Sequence, residues 1–174
     1  MKIFEAGKFT LNLSKKTYVM GILNVTPDSF SDGNKWFNIE SAVGHALQMK
    51  NDGADIIDIG AQSTRPGHTK ITPQEELMRL MPVLKVLKGR INVPISVDTF
   101  YPEVAKEALN EGIDIINDVN GFKNEEMMKV AAKSNCGCIV MHDGTNAQMK
   151  NFFDFLFCQT LSFLFPEKIS PSTR

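Results

Sequence analysis

The stretch TYVMGILNVTPDSFSDG, residues 17–33, joins an almost continuous apolar run to a polar segment that contains a proline. Such a run is typical of a strand that is buried on both faces, as the strands of parallel sheets are. The run ends in Asn24, and the residues after it carry hydroxyl and carboxylate groups around Phe30. This stretch therefore predicts a buried strand whose carboxyl end leads into an irregular loop rich in oxygen ligands.

Similar apolar strands recur along the chain and alternate with helical patterns. They are predicted in DIIDIG (55–60), VPISVDT (93–99), IDIINDV (113–119) and GCIVMH (137–142). The segment FEAGKFTLNL, residues 4–13, alternates and contains a glycine, which predicts an opening hairpin. Five strands that alternate with helices imply right-handed βαβ units and a parallel sheet. Two architectures fit: an open doubly wound sheet, or the first part of an eight-stranded βα-barrel.

The clearest helix start lies in TPQEELMRLMPVLKVLKGR, residues 72–90. Thr72 is predicted as the N-cap, Pro73 as the first helical residue and Glu75 as the partner in a capping box. Four methionines in the helical segments are expected to fill the core from helix faces. They are Met78, Met81, Met127 and Met128.

Composition and charge narrow the classes of function. The chain has 174 residues, of which 43% are hydrophobic and 22% charged, and its formal net charge is −1. This charge provides no basic surface for nucleic acid or for an acidic membrane. The three cysteines, and an N-terminus without an apolar export signal, fit a reducing compartment. We therefore expect a cytoplasmic, one-domain protein, with neither nucleic acid nor a membrane as a partner.

Polar side chains stand at or near the carboxyl ends of four predicted strands. They are Asn24, Asp58, Asp98 and Asn117. Strand residues alternate between faces, and ligands of α/β proteins bind at the carboxyl ends of the strands, so we expect a shared polar site. The set contains no Ser–His or Cys–His pair and no glycine-rich phosphate loop. Its oxygen atoms and amides suit Mg²⁺ and a flat heterocycle with N–H groups.

Two further groups of side chains have the residue types of ligand-binding sites. Arg65 lies in the loop GAQSTRPGHTK, residues 60–70, and a guanidinium beside a strand-end site suits phosphate or carboxylate oxygens. Cys136, Cys138 and His142 share a strand face, but a zinc site needs a fourth ligand that the spacing does not supply. We interpret these cysteines as buried structural thiols that face the helices.

The motifs GILNVTPDSFSDG, DIGAQSTRPG, SVDT and IINDV, in this order, resemble the dihydropteroate synthase family of the folate pathway. The resemblance extends over roughly residues 2–145 and implies a (β/α)8 TIM barrel. It also implies a transferase in which hydroxymethyl-dihydropterin pyrophosphate loses pyrophosphate and p-aminobenzoate takes its place, giving dihydropteroate. The expected cofactor is Mg²⁺, and the expected assembly in the family is a homodimer.

The resemblance also implies roles for individual residues. Asn24 matches the family's ligand for Mg²⁺ and pyrophosphate, and Asp98 and Asn117 match its pterin-binding residues. Asp58 lies at the same mouth, and we group it with Asp98 and Asn117 as a catalytic candidate. The remaining predicted substrate-binding residues lie in the two loops and on a pocket wall. They are Phe30, Thr64, Arg65, Pro66 and Met141.

The resemblance predicts a division of the chain. Residues 1–148 are expected to form a partial pterin-binding βα-barrel domain, with about five βα units and the hairpin. Residues 149–174, where half of the twelve phenylalanines lie, are expected to be an unrelated tail from an altered reading frame or a disordered end. The family's later barrel units are not matched, so alternatives stay open: a non-catalytic fragment that binds pterin weakly at most, or a pterin-binding methyltransferase relative.

Overall fold

The computed structural model describes residues 2–26, 35–62, 70–140 and 156–158. The strands are β1 (Ile3–Ala6), β2 (Phe9–Asn12), β3 (Met20–Asn24), β4 (Ile56–Gly60), β5 (Ile95–Asp98), β6 (Ile115–Asp118), β7 (Gly137–Val140) and β8 (Leu156–Cys158). The helices are α1 (Lys35–Asn51), α2 (Pro73–Leu87), α3 (Pro102–Glu111) and α4 (Glu125–Ala132). No helix in these ranges is both long and apolar enough to cross a membrane.

The order of the strands decides between the two predicted architectures. Strands β3 to β7 pair in parallel in the order of the chain, and β8 pairs antiparallel with β7. A doubly wound sheet would reverse direction within the strand order, whereas a barrel adds each new strand on the same side. The five parallel strands therefore follow the barrel pattern. The hairpin prediction is confirmed by β1 and β2, which turn at Gly7 with a positive φ of 58°.

The two faces of the sheet are buried against different partners. On one face, strand residues such as Ile59, Val97 and Cys138 pack against the helices, which confirms the predicted direction of this cysteine. On the other face, Ile56, Ile115 and Ile139 pack against the hairpin, below the polar ends of the strands. The hairpin thus fills the amino-terminal end of the barrel interior. A ligand on this face of the sheet can therefore bind only at the carboxyl-terminal ends of the strands.

Helix α2 begins at the N-cap that its sequence predicts, but the Glu75 carboxylate bonds to Arg79 and not to the Thr72 backbone N–H, so the predicted capping box forms only in part. Thr72 is the N-cap, and its hydroxyl oxygen accepts a hydrogen bond from the Glu75 backbone N–H at 3.2 Å. The Glu75 carboxylate accepts from Arg79 at 3.2 Å. The prediction for Met78 is wrong, because this side chain is 69% exposed. It lies between the positions of the helix that face the core, whereas Met127 is fully buried as expected.

Close packing of β7 on the hairpin makes Gly137 a sensitive position. A Cβ added there would lie 2.5 Å from Phe4 Cζ and 3.0 Å from the backbone oxygen of Glu5. We expect Gly137→Ala to lower the free energy of unfolding by about 1–3 kcal/mol, because the hairpin would have to move. Gly44→Ala in α1 is the control, since nothing lies within 4 Å of its added Cβ. The control should raise the free energy of unfolding by up to about 1 kcal/mol, through helix propensity.

Urea unfolding followed by circular dichroism measures both effects. Equal free energies of unfolding for Gly137→Ala and the unsubstituted chain would contradict the close approach of the hairpin to β7.

Candidate functional site

The carboxyl ends of four neighbouring strands bring three of the four predicted polar residues into one row. Asn24 is in register with Gly60, Gly60 with Asp98, and Asp98 with Asn117. Residues in register on parallel strands direct their side chains to the same face of the sheet. The row therefore presents an amide, an open position, a carboxyl group and a second amide at the mouth of the barrel interior.

The open position in this row is Gly60. A Cβ at this residue would lie 3.8 Å from Asn24 Oδ1 and 3.7 Å from Asp98 Oδ2. Both oxygens therefore border the space above the glycine, where any larger side chain would stand between them. The glycine leaves room for a ligand atom to approach the amide oxygen and the carboxylate together.

Asp58 lies one side-chain layer deeper than the row. It is 4% exposed, and its Oδ2 accepts a hydrogen bond from Asn117 Nδ2 at 3.1 Å. Burial raises the pKa of Asp58, while the nearby Ser96 hydroxyl and the Asn117 amide lower it. The hydrogen bond orients the Asn117 amide, and Asn117 Oδ1 has no hydrogen-bond partner among the described residues. A ligand with an N–H donor would satisfy that buried oxygen.

Asp98 is the carboxyl group of the row and lies among other acidic side chains. Burial raises its pKa to about 7, with further increases from the negative charges of Asp58, Glu76 and Asp118. The carboxylate form of Asp98 is therefore less stable than it would be in water. A hydrogen-bond donor or a positive charge on a ligand would stabilise this form. Near neutral pH, Asp98 is available both as a carboxylate and as a carboxylic acid.

Asp118 is the last residue of β6, and its side chain stabilises the turn that follows. Its carboxylate accepts hydrogen bonds from the backbone N–H groups of Asn120 at 2.8 Å and Phe122 at 3.0 Å. These bonds hold the turn after β6, in which Phe122 has a positive φ of 54°. By strand parity its side chain leaves the sheet on the face opposite to that of Asn117. Asp118 therefore acts on the site only through its charge.

Three side chains hold the chain on either side of residues 63–69. Gln62 Oε1 accepts from the Ile71 N–H at 2.9 Å, and the Tyr101 hydroxyl donates to the Ile71 carbonyl at 2.7 Å. Arg79 donates to the Ala61 carbonyl at 3.0 Å. These bonds link β4, α2 and the segment after β5 into one support. This support could not be predicted from the sequence, because each of its bonds joins separate parts of the chain.

Glu76 is a second group near the site that no motif in the sequence indicates. It belongs to α2, has 0% exposure and affects the charge of Asp98. The available sequence signal was its spacing, since Glu76 lies four residues before Leu80 on the buried stripe of the helix. The predicted site residues Phe30, Thr64, Arg65, Pro66 and Met141, together with His142, lie outside the described residues. Their roles stay predictions.

A family model described as "Pterin binding enzyme" matches residues 20–154, which include all four strand ends. The chain belongs to the family of pterin binding enzymes.

Several proteins that resemble the chain are dihydropteroate synthases. The enzyme from Clostridium beijerinckii is 46% identical over 151 residues, which cover 86% of this chain and 56% of the relative. A solved structure from Xanthomonas albilineans, of dihydropteroate synthase with 4-aminobenzoic acid, superposes with a TM-score of 0.76. It is 40% identical, and the match covers 84% of this chain and 54% of that structure.

A second solved structure is the dihydropteroate synthase from Burkholderia cenocepacia complexed with 7,8-dihydropteroate. It has a TM-score of 0.71 and 36% identity, covering 84% of this chain and 48% of that structure. The chain thus spans about half the length of the relatives that it matches. These similarities confirm the predicted TIM-barrel class, and the parallel strands β3 to β7 represent part of such a barrel.

The raised pKa of Asp98 predicts how stability depends on pH. The folded-state pKa of about 7 lies above the ordinary value of 3.8, so the folded chain binds the proton more tightly than the unfolded chain. The contribution of Asp98 to stability is therefore lost progressively as the pH rises from about 4 to about 7. Asparagine does not ionise, so Asp98→Asn should lose less free energy of unfolding over this pH range than the unsubstituted chain does. The difference should be on the order of a few kcal/mol at most, because solvent screens a partly exposed group.

Chemical unfolding at a series of pH values between about 4 and 8 measures this effect. The same substitution at the exposed Asp52 of the α1–β4 connection serves as the control. A pH dependence that is identical in Asp98→Asn and in the unsubstituted chain would show that Asp98 does not carry the effect.

Proposed function

We propose that this chain acts in dihydropteroate synthesis, as a transferase that condenses hydroxymethyl-dihydropterin pyrophosphate with p-aminobenzoate. The observation that carries the proposal is the row of Asn24, Gly60, Asp98 and Asn117 at one edge of the sheet in a pterin binding enzyme. The names of the similar proteins support the reaction, and the ligands named with their structures support both substrate classes.

The chemistry of the row suits the edge of a pterin ring. The Asp98 carboxylate accepts N–H groups, and the Asn117 amide is oriented by its hydrogen bond to Asp58. Asn117 Oδ1, for which the described residues offer no hydrogen-bond partner, accepts a further N–H. A flat heterocycle with several donors would satisfy these oxygens together. Recognition of such a ring would explain why these residues lie in one row and do not serve as separate turn caps.

The same groups favour the departure of pyrophosphate. In the proposed reaction the bond between the methylene carbon and the pyrophosphate oxygen breaks, and pyrophosphate takes the electron pair. The amine nitrogen of p-aminobenzoate forms the new bond to that carbon and releases a proton. Positive charge develops on the pterin as the C–O bond breaks, and an ionised Asp98 stabilises it. Groups directed at such charge are typically worth a few kcal/mol in the transition state.

Asn24 is the residue that we propose to hold Mg²⁺. Its Oδ1 and the Asp98 Oδ2 border the same space above Gly60, and such oxygen donors fit the preference of this cation. Within the described ranges, no cluster of three or more His, Cys, Asp or Glu side chains could hold a metal ion. The two oxygens beside Gly60 suit a cation whose other ligands would be substrate oxygens. When bound, Mg²⁺ would neutralise charge on the pyrophosphate.

The loops and the assembly complete the proposal on the strength of the sequence resemblance. Arg65 would bind an anionic group of a substrate, with Phe30, Thr64 and Pro66 beside p-aminobenzoate or pyrophosphate. Met141 would form an apolar wall of the pterin pocket. A homodimer in the cytoplasm is part of the same proposal.

The test separates binding from turnover. Calorimetric titration of the purified chain with the pterin pyrophosphate and Mg²⁺ measures binding, and addition of p-aminobenzoate measures formation of dihydropteroate. Asp98→Asn should weaken pterin binding, and lower kcat/KM where turnover is measured, by on the order of a hundredfold, because an amide replaces the carboxylate. Asp52→Asn is the matched control for the same chemical change on the surface. An unchanged affinity in Asp98→Asn would refute the role of this residue.

A further inference from the structure

Cys136 and Cys138 differ in how far the fold buries them. Cys138 is 4% exposed and lies on the face of β7 that packs against the helices. Cys136, which directly precedes this strand, is only half-buried, so the prediction of two buried thiols is wrong for this residue. The pair therefore joins a thiol near the surface to a thiol in the core.

The spacing of the two cysteines brings their side chains together. Residues two positions apart in extended backbone direct their side chains to the same face, and their Cα atoms are roughly 6.6 Å apart. The Cys138 thiol is accordingly a side-chain hydrogen-bond partner of Cys136. Disulfides join Cα atoms up to about 6.8 Å apart, so a bridge across Gly137 is within reach at the upper end of this range.

Hydrogen-bond donors surround the sulfur of Cys136. The Ser134 hydroxyl lies 3.0 Å from Cys136 Sγ and 2.9 Å from the Ala131 carbonyl, and it can turn its single proton to the sulfur when Cys136 ionises. The Cys138 thiol is the largest of the effects that lower the pKa of Cys136 to about 7, and burial opposes them. Because the thiolate is the nucleophilic form of cysteine, these donors activate Cys136.

The residues on either side of Cys136 hold the hairpin. The Asn135 carbonyl accepts from the Gly7 N–H at 3.0 Å, and the Asn135 amide donates to the Gly7 carbonyl at 3.2 Å. Gly137 packs so closely on the hairpin that it leaves no room for a Cβ. A bridge across Gly137 would rotate the backbone at this point and would therefore disturb both contacts.

We propose that Cys136 and Cys138 form a reversible oxidation site, whose disulfide weakens the packing of the hairpin on β7. A hydroperoxide is the oxidant. The Cys136 thiolate attacks one peroxide oxygen, the O–O bond breaks, and the sulfur becomes a sulfenic acid while the other oxygen leaves and takes up a proton. The Cys138 sulfur then attacks the sulfenic sulfur, the S–S bond forms, and water leaves. Two electrons pass from the two thiols to the peroxide.

The strain of this bridge makes the oxidation reversible. A disulfide at the upper limit of the Cα separation stores strain, and strained disulfides are more readily reduced than relaxed ones. A thiol reductant would therefore restore both cysteines. The site also lies apart from the row of polar residues, because β7 begins at Gly137 and the row lies at the carboxyl ends of the strands. The proposal does not rest on the proposed function.

Alkylation after treatment with dilute hydrogen peroxide tests the bridge in the unsubstituted chain. Trypsin releases both cysteines in one peptide, residues 134–150, and Cys158 in another. Mass spectrometry should show that both cysteines of the first peptide resist alkylation until dithiothreitol is added. Cys158 is in register with Cys138 on β8, so Cys158→Ser is the control, and the bridge should still form in it. A bridge from Cys138 to Cys158, or two thiols that remain open to alkylation, would overturn the proposal.

Two further variants test the roles within the pair. In Cys138→Ser, oxidation should stop at a sulfenic acid on Cys136 that dimedone traps. Ser134→Ala should slow the oxidation of Cys136 by about fivefold, the loss expected from one hydrogen bond. If Ser134→Ala reacts at the rate of the unsubstituted chain, the donors around the sulfur do not activate it and the proposal fails. Should Cys138→Ser not fold, peroxide treatment of the unsubstituted chain still decides whether the bridge forms.

Hydrogen exchange measured by NMR tests the effect on the hairpin. In the oxidised chain the Gly7 amide should exchange at least about tenfold faster, because its bond to Asn135 is disturbed. The Thr99 amide is the internal control, since it donates to the Asn117 carbonyl at the opposite end of the sheet. Equal protection of Gly7 before and after the bridge has formed would show that oxidation leaves the hairpin in place, contrary to the proposal.

Discussion

The parallel register of β3, β4, β5 and β6 is the constraint on which the rest of the site depends. It brings Asn24, Gly60, Asp98 and Asn117 to one edge of the barrel interior. A shift of one residue in any of these strands would turn its polar group toward the helices, because strand side chains alternate between faces. The apolar layers on both sides of the sheet oppose such a shift. Packing of isoleucine and valine residues thus positions groups that take no part in the core themselves.

Crowded acidic groups give the site its electrostatic character. Asp58, Glu76 and Asp98 are withdrawn from water to different degrees, and burial is the main reason that their pKa values are raised. Such an arrangement is unfavourable for the stability of the unliganded fold at neutral pH. It also favours the binding of a ligand that brings N–H donors or positive charge, because such a ligand stabilises the charged form of the buried carboxyl groups. Burial of these carboxyl groups therefore lowers the stability of the unliganded fold and favours ligand binding.

The two ends of the barrel interior differ in how closely they are packed. At the amino-terminal end the hairpin packs so closely on β7 that Gly137 leaves no room for a side chain beside Phe4. At the other end Gly60 leaves an open position between polar side chains. One glycine thus permits close packing of the chain on itself, and the other leaves space for a ligand. Bonds from Tyr101 and Arg79 to the backbone beside residues 63–69 add a rigid support next to that space.

The sequence by itself determined the hairpin, the order of strands and helices, the Thr72 cap and the resemblance to a pterin-binding family. These features depend on local periodicity and on motifs within short segments. It also identified the four strand-end residues, because parity and strand ends are local properties. Only the tertiary structure decided that Asn117 bonds to Asp58, 59 residues away, and that Glu76 is buried while Met78 is exposed. These outcomes depend on the stagger between strands and on which face of a helix meets the sheet, and long-range packing sets both.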